Sequence, residues 1–210
     1  MNTQRSLSQF NTVSLDDLNS VRLMNRMDVK FVFSQHKLPH LLSELREFYN
    51  ILEVNNIKIQ TYKSLYYDTV DYVFFLEHHN NRVNRHKVRF REYVGSGLTF
   101  LEVKLKNNKG KTIKNRIKVD KISDSLSLDQ KDYVNQIIGK NLDLISQHWI
   151  NFDRITFVDK LNTERLTIDL KLNFSNQVNS GSFDNVVVAE IKKERSHQSS
   201  KFTYIAKRHH

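Results

Sequence analysis

Three basic residues, Lys87, Arg89 and Arg91, occupy every second position of the segment RHKVRFREYV. Alternate side chains of a β-strand lie on the same face, so a strand here carries three cations on one face and Val88 and Phe90 on the other. Guanidinium groups bind phosphate oxygens through paired hydrogen bonds. The spacing therefore predicts an anion-binding strand, although a strand whose charged face is only solvated has the same pattern.

Other segments repeat this alternation of cations with apolar residues. If several such strands belong to one sheet and their charged faces converge, they line a channel for a polyanion. The repeated positions are Lys104 and Lys106 in FLEVKLK, Lys114, Arg116 and Lys118 in TIKNRIKV, and Arg165 in ERLTIDLKL.

The composition narrows the class of protein. The chain has 210 residues, enough for one domain, and its 33 Lys and Arg against 23 Asp and Glu give a formal charge of +10, which favours an anionic partner. The absence of cysteine excludes disulfides, thiolate zinc sites and a cysteine nucleophile, and five glycines are too few for a Gly-rich phosphate loop. No apolar stretch approaches ~20 residues. We therefore expect a soluble, cytoplasmic protein.

The elements that position these residues are mainly strands. Their number, with a few peripheral helices, predicts an α+β fold of mainly antiparallel β-structure, in which a closed or nearly closed barrel has its polar side chains inside. Residues 1–25 are expected to be an N-terminal extension, and 26–210 a single domain. Strands are predicted at 27–33, 62–67, 87–94, 98–106, 111–119, 151–158, 166–174 and 186–193, and helices at 34–49, 71–79, 127–138 and 199–210.

Seven motifs occur in a fixed order between Arg26 and Glu194, and together they resemble the VTC domain of the triphosphate tunnel metalloenzyme superfamily. The similarity is greatest to VTC proteins of the polyphosphate polymerase type. It implies an eight-stranded antiparallel barrel that forms a tunnel, with peripheral helices. The motifs are NRMDVKFVF, SLYYDTVD, RHKVRFREY, FLEVKLKNNKGKTIKNRIKV, NFDRITFV, ERLTIDLKL and VVVAEIKKE.

The resemblance also implies roles for individual residues. Glu190 is the implied ligand of a divalent metal, Mn²⁺ or Mg²⁺, with Glu102 as a second candidate carboxylate. Lys106, Lys114 and Lys192 are further candidates for lining the tunnel. The implied catalytic residues are Arg89, Arg91, Lys104, Arg154 and Arg165, and the implied phosphate-binding residues are these five with Lys30 and Arg116.

The activity implied is transfer of the γ-phosphate of ATP to a growing polyphosphate chain, with release of ADP. ATP and inorganic polyphosphate are thus the expected partners, without nucleic acid, and polymerases of this type can work beside a membrane protein. Relatives continue into a lysine-containing segment that closes the tunnel, whereas this chain ends at AKRHH. We therefore expect the domain to lack that closing segment.

Three other functions fit the same residue types. A hydrolase of tripolyphosphate or nucleoside triphosphates differs only in using water as the acceptor, and a non-catalytic module would bind polyphosphate without turnover. An RNA-binding barrel needs exposed aromatic residues between its cations. Here the aromatic residues, Tyr66 among them, are interpreted as core outside the cationic strands.

Two other groups have less specific interpretations. The spacing of His78, His79 and His86 fits no defined zinc site, so we interpret them as surface or loop residues. Asp68 and Asp71 are expected to end a strand and cap a helix.

Overall fold

The structure is a computed structural model that describes residues 3–20, 26–194 and 200–209. The chain forms two compact units. The first comprises Met1–Thr61, Phe152–Leu172 and Ser182–His210, and the second comprises Tyr62–Asn151 and Asn173–Gly181.

Strands account for most of the regular structure. They are β1 (Thr12–Val13), β2 (Arg26–Ser34), β3 (Tyr49–Leu52), β4 (Ile59–Asp68), β5 (Arg85–Tyr93), β6 (Leu98–Lys106), β7 (Thr112–Val119), β8 (Ile145–Asp159), β9 (Arg165–Ser175), β10 (Ser180–Phe183) and β11 (Val186–Glu194). The α-helices are α1 (Thr3–Leu7), α2 (Leu15–Ser20), α3 (Leu38–Phe48), α4 (Val73–His79), α5 (Leu128–Ile138) and α6 (Lys201–Arg208).

In the first unit the order of hydrogen-bonded strands is β2-β11-β9-β8. Strand β11 pairs antiparallel with both neighbours, so that Glu190 lies opposite Lys30 on one side and Thr167 on the other. The alternate residues Val187, Ala189 and Ile191 are fully buried. They pack into a core with the apolar faces of two helices, formed by Leu38, Leu41, Leu42 and Leu45 of α3 and by Phe202, Ile205 and Ala206 of α6.

In the second unit the order is β8-β4-β5-β6-β7. One face of this sheet buries Val88, Phe90, Leu101 and Val103 against Val134 of α5. Helix α5 begins with a capping box, in which the Ser127 hydroxyl accepts a hydrogen bond from the Gln130 backbone N–H. The cations at alternate positions of β5, β6 and β7 therefore lie on the opposite face.

The predicted α+β class with mainly antiparallel strands is confirmed, and the strand order contains eight strands. The order is open rather than circular. Strands β2 and β7 at its ends each have one hydrogen-bonded neighbour among the described residues, so backbone pairing does not close the expected barrel. Lysines of β7 provide a physical reason, because lysine commonly prevents an edge strand from pairing further.

Within the described residues, no helix combines the length and the hydrophobicity that crossing a membrane requires.

Candidate functional site

Five basic residues on one face of the second unit form what we call the arginine cluster. Strand pairing brings them together: Arg89 of β5 lies opposite Glu102 of β6, which lies opposite Arg116 of β7. Two pairs further along these strands, and therefore on the same face, Lys104 lies opposite Lys114. Cross-strand neighbours on one face are about 4.5–5.5 Å apart at Cβ, so these cations are in mutual repulsion. The cluster is Arg89, Arg91, Lys104, Lys114 and Arg116.

Arg89 is buried and held by two neighbouring side chains. Its Nε and Nη2 donate to Glu102 Oε2 at 2.9 and 2.7 Å, and its Nη1 donates to the Tyr66 hydroxyl at 2.7 Å. Desolvation opposes charge on a buried guanidinium, but Tyr66 and Glu102 together raise the pKa of Arg89. A guanidinium has five N–H donors. These contacts use three of them.

Glu102 is the carboxylate that these cations share. Its side chain is fully buried, with Arg89 on Oε2 and an ion pair to Lys114 on Oε1. Burial alone would raise the pKa of Glu102, but Arg89 and Lys114 outweigh burial and lower the pKa to about 2. Glu102 is therefore ionised at neutral pH and already bound by two cations.

Lys104 has the opposite electrostatic situation. No hydrogen bond or ion pair to its amine occurs within the described part of the chain. Burial and the nearby Arg89 lower the pKa of Lys104 to about 6, and Glu102 offsets this only in part. An anion close to Lys104 would favour the charged form of its amine.

Aromatic rings support the arginines of this face. The Arg91 guanidinium lies 5.2 Å from the Tyr62 ring and donates to Ser64 Oγ at 3.0 Å. Arg116 lies 4.4 Å from the Phe100 ring, and Arg89 lies 5.5 Å from Tyr66. The expectation that the aromatic residues lie outside the cationic strands was wrong for Phe100, which lies on β6. Tyr62 and Tyr66 do lie on a different strand, β4, but strand pairing places them beside the arginines of β5.

Tyr66 is part of this charged face rather than of the core in which it was expected. Its ring stacks on His148 at 5.1 Å with an interplanar angle of 8°. Burial opposes ionisation, but Arg89, Arg91 and Lys87 together lower the pKa of Tyr66. Its sequence context, an aromatic run next to a strand end, gave no sign of this role.

In the first unit, a second group of charged residues surrounds Glu190. We call this group, with Glu190 itself, the Glu190 cluster. Its members are Lys30, Arg154, Asp169, Glu190 and Lys192. Glu190 Oε2 pairs with Lys192 Nζ at 2.7 Å. Burial alone would raise the pKa of Glu190, but Lys192, Lys30 and Arg154 together lower it. Glu190 is therefore an ionised carboxylate at neutral pH, and its side chain keeps 18% of its exposure.

Arg154 forms a paired interaction with Asp169. Its Nε donates to Oδ1 at 2.6 Å and its Nη2 donates to Oδ2 at 2.7 Å. Sequence reasoning did not single out Asp169, although it lies four residues after Arg165 and so on the same face of β9. Arg165 itself donates to the backbone carbonyl of Leu18 in α2, and it lies opposite Lys192.

The described residues fit the divalent metal that the sequence implies in one binding mode, with Glu190 as the carboxylate. The described residues contain no group of three acidic, histidine or cysteine side chains that could hold a metal. Mg²⁺ and similar ions usually keep several waters and bind through one or two carboxylates together with substrate phosphates. Glu190 fits this mode because it is ionised and partly exposed, whereas both Glu102 oxygens are bound by cations.

The predicted site residues therefore fall into two sets. The second unit brings together Arg89, Arg91, Lys104 and Arg116, and the first contains Lys30, Arg154, Arg165 and Glu190. Lys106 is exposed at the end of β6. His78 contacts Lys87 at 3.3 Å, His79 stacks on Phe75, and the His86 ring lies 6.0 Å from that of Phe74.

The acidic residue at the end of β4 has the structural role expected of it. Asp68 accepts hydrogen bonds from the backbone N–H groups of Phe74 and Phe75 at 2.9 Å each, at the start of α4. These bonds satisfy amides that a helix leaves unpaired in its first turn.

Comparison with solved structures finds similar folds at low sequence identity. The putative adenylyl cyclase HpAC1 from Hippeastrum, described as having a dominant triphosphatase activity, is 14% identical with a TM-score of 0.50, covering 88% of this chain and 96% of that chain. The PH1012 protein from Pyrococcus horikoshii OT3 is 11% identical with a TM-score of 0.46, covering 87% of this chain and 86% of that chain. No curated protein is significantly similar in sequence.

Comparison with protein families gives a match that covers most of the sequence. The model of the VTC domain matches residues 25–210, which include both sets of predicted site residues. The chain therefore belongs to the VTC domain family.

Proposed function

We propose that this protein is a metal-dependent polyphosphate polymerase, which transfers the γ-phosphoryl group of ATP to the end of a growing polyphosphate chain and releases ADP. The arginine cluster is the observation that carries this proposal. It places five basic residues on one face of three adjacent strands, four of them charged in the free protein at neutral pH, and Glu102 compensates only one of these charges. A polyanion supplies the charge that this face lacks.

The proposed reaction needs no protein nucleophile. A terminal oxygen of polyphosphate attacks the γ-phosphorus, the bond from the γ-phosphorus to the β–γ bridging oxygen breaks, and ADP leaves with that oxygen. Phosphoryl transfer depends mainly on positioning and on neutralising charge. Arg91 and Arg116 have N–H donors suited to phosphate oxygens, and Lys104 provides a further cation once it is protonated.

In the first unit, the Glu190 cluster has residue types that suit phosphate and metal binding. Lys30 is exposed and lies opposite Glu190 on β2, so it is accessible to a phosphate. Glu190 would hold a divalent ion, which when bound neutralises phosphate charge. The two hydrogen bonds from Arg154 to Asp169 hold the Arg154 guanidinium near Glu190.

Hydrolysis of tripolyphosphate or of nucleoside triphosphates is the second candidate, because water can take the acceptor position without any change in the residues. HpAC1, a protein of similar fold, has a dominant triphosphatase activity, which is the observation that favours this candidate. A non-catalytic polyphosphate-binding module is the remaining alternative, and it predicts binding without turnover.

Incubation of the purified protein with ATP and either Mn²⁺ or Mg²⁺ tests the proposal. We expect long polyphosphate on a gel, ADP in the solution and little free phosphate. Free phosphate without polymer would instead establish the hydrolase, and binding of polyphosphate without products would support the non-catalytic module.

Two variants assign the activity to the proposed residues. Arg89→Ala combined with Arg91→Ala is expected to abolish binding of ATP and polyphosphate, while Glu190→Gln is expected to keep anion binding and lose metal-dependent turnover. Lys131→Ala and Glu47→Gln are matched controls, since both residues lie outside the two clusters. Turnover that survives Glu190→Gln would remove Glu190 from the proposed metal site.

A further inference from the structure

We propose that Glu102 is a positioning residue that fixes Arg89 and Lys114 on the cationic face, with Tyr66 holding a second side of the Arg89 guanidinium, and that Glu102 is not a ligand of the metal. The inference deepens the proposed function and rests on it for the identity of the anion. It concerns how the chain keeps an excess of cations in a fixed arrangement before any phosphate is bound.

The place of Glu102 in the sheet is the first argument. It lies on β6, the strand between β5 and β7, directly opposite Arg89 on one side and Arg116 on the other. Its side chain is 0% exposed. A carboxylate on the central strand can contact cations of both neighbouring strands, and Glu102 does so.

The use of both carboxylate oxygens is the second argument. Oε2 accepts two hydrogen bonds from Arg89, and Oε1 is paired with Lys114. A metal ion could reach either oxygen only by displacing a cation from a buried position, which would leave that cation without its counter-ion. Glu190 differs because its side chain keeps 18% of its exposure and, among the described residues, its ion pair with Lys192 is made through Oε2.

Tyr66 provides the third argument, because it restrains the same guanidinium from β4. Its hydroxyl accepts a hydrogen bond from Arg89 Nη1, and its ring is itself held by stacking on His148. Arg89 is thus fixed through Nε, Nη1 and Nη2. A guanidinium held on two sides cannot rotate to follow a ligand, so its remaining two N–H donors have a set direction.

The expected consequence is a loss of anion affinity when Glu102 is neutralised. Removing a negative charge alone would strengthen anion binding. If Glu102 instead positions Arg89 and Lys114, Glu102→Gln weakens binding of tripolyphosphate by at least about tenfold, in keeping with the loss of hydrogen bonds between charged groups. Tyr66→Phe, which keeps the ring and removes the hydroxyl, should cause a smaller loss.

Calorimetric titration with tripolyphosphate, with and without Mn²⁺, separates the two roles. We expect Glu102→Gln to weaken binding in both conditions by the same factor, so that the gain from Mn²⁺ is unchanged. Glu190→Gln should not weaken metal-free binding, because it removes only a negative charge, and it should abolish that gain. Asp132→Asn, an exposed site on α5, is the control. Unchanged metal-free binding in Glu102→Gln together with a lost Mn²⁺ gain would overturn the proposal and make Glu102 a metal ligand.

A measurement without any ligand keeps this inference separate from the proposed function. The Nε–H proton of Arg89, assigned by its absence in Arg89→Lys, should exchange slowly with water in NMR spectra of the free protein. Glu102→Gln should make the exchange fast while the remaining spectrum stays that of a folded protein. If Glu102→Gln does not fold, Glu102→Asp serves instead and should give intermediate exchange. Slow exchange that persists in a folded Glu102 variant would overturn the positioning role, even if tripolyphosphate binds normally.

Discussion

Lys104 shows how one residue can connect the charge of the cluster to ligand binding. Burial and the surrounding Arg89, Arg91 and Lys114 disfavour its charged form, Glu102 opposes them, and the pKa falls to about 6. Above pH 6 the amine is therefore mostly neutral in the free protein. A bound phosphate reverses this by stabilising the ammonium form, so binding and protonation of Lys104 are linked.

We predict that binding of tripolyphosphate at pH 7.5 takes up a proton at Lys104. Calorimetry in buffers of different ionisation enthalpy should reveal an uptake approaching one proton per site from this residue, and the uptake should decline at pH 5, where Lys104 is already charged. Because tripolyphosphate also titrates, Lys104→Met is the reference: the wild type should take up more protons than this variant at pH 7.5. Equal uptake by both proteins would contradict the lowered pKa of Lys104.

At this scale the sequence predicted which side chains share a face but not which of them are paired. Alternation along one strand was enough to place Arg89 and Arg91 together, because the period of a strand is local. The partners of Arg89 come from β4 and β6, and those depend on strand register. Tyr66 and Asp169 were missed for this reason, since register is fixed by packing across the sheet.

At the scale of elements, a buried polar cluster connects the start of α6 to the core of the first unit. Glu164 accepts hydrogen bonds from the Tyr49 hydroxyl and from Ser200 Oγ, which also caps α6. The Tyr49 hydroxyl in turn accepts from the backbone N–H of Phe202 at 3.2 Å. These bonds fix the helix whose Phe202 and Ile205 fill the core.

We predict that this cluster makes stability depend on pH. Burial raises the pKa of Glu164, although Tyr49 and Ser200 act in the opposite direction. A carboxyl whose pKa is higher in the folded state binds more protons there than in the unfolded chain, so its contribution to the free energy of unfolding falls as pH rises above about 4.5. Urea unfolding between pH 4.5 and 8 should show a decline that Glu164→Gln reduces.

Glu47→Gln, an exposed change on α3, is the control for that series and should leave the pH profile unaltered. A profile of Glu164→Gln parallel to that of the wild type would show that other groups are responsible.

Element boundaries were predicted best where a repeating pattern ended at a turn. Strand β6 begins and ends where it was expected, at Leu98 and Lys106, and β7 starts one residue later than expected, after a loop that contains Gly110. Strand β8 was predicted only for 151–158, yet it begins at Ile145. Its first half carries polar residues such as His148, which packs against Tyr66. This part of β8 is therefore extended because it packs against a neighbouring strand, and not because its residues favour a strand locally.

Short elements escaped prediction altogether. Strand β3 has four residues, and its pairing with β8 and with β1 gives it an extended conformation. The helix before it was expected to extend to residue 49, which is instead the first residue of β3. Tertiary pairing outweighs a weak local preference in such short segments.

At the scale of the whole chain, the formal charge of +10 makes binding of a polyanion sensitive to salt. Binding of a polyanion releases the counterions condensed on it, so the logarithm of the affinity falls linearly with the logarithm of the salt concentration. The slope rises with the number of cations that contact the ligand.

We predict that this slope distinguishes residues in the clusters from basic residues elsewhere. Each phosphate-binding cation removed should lower its magnitude by about one, so Arg89→Ala with Arg91→Ala should lower it by about two for any ligand that still binds measurably at low salt. Lys131→Ala and Lys207→Ala change the net charge by the same amount outside the clusters, and the slope of this double variant should match that of the wild type. If both double variants lowered the slope equally, diffuse positive charge rather than the arginine cluster would bind polyphosphate. A difference between them would instead assign the contacts to Arg89 and Arg91, because the two proteins carry the same net charge.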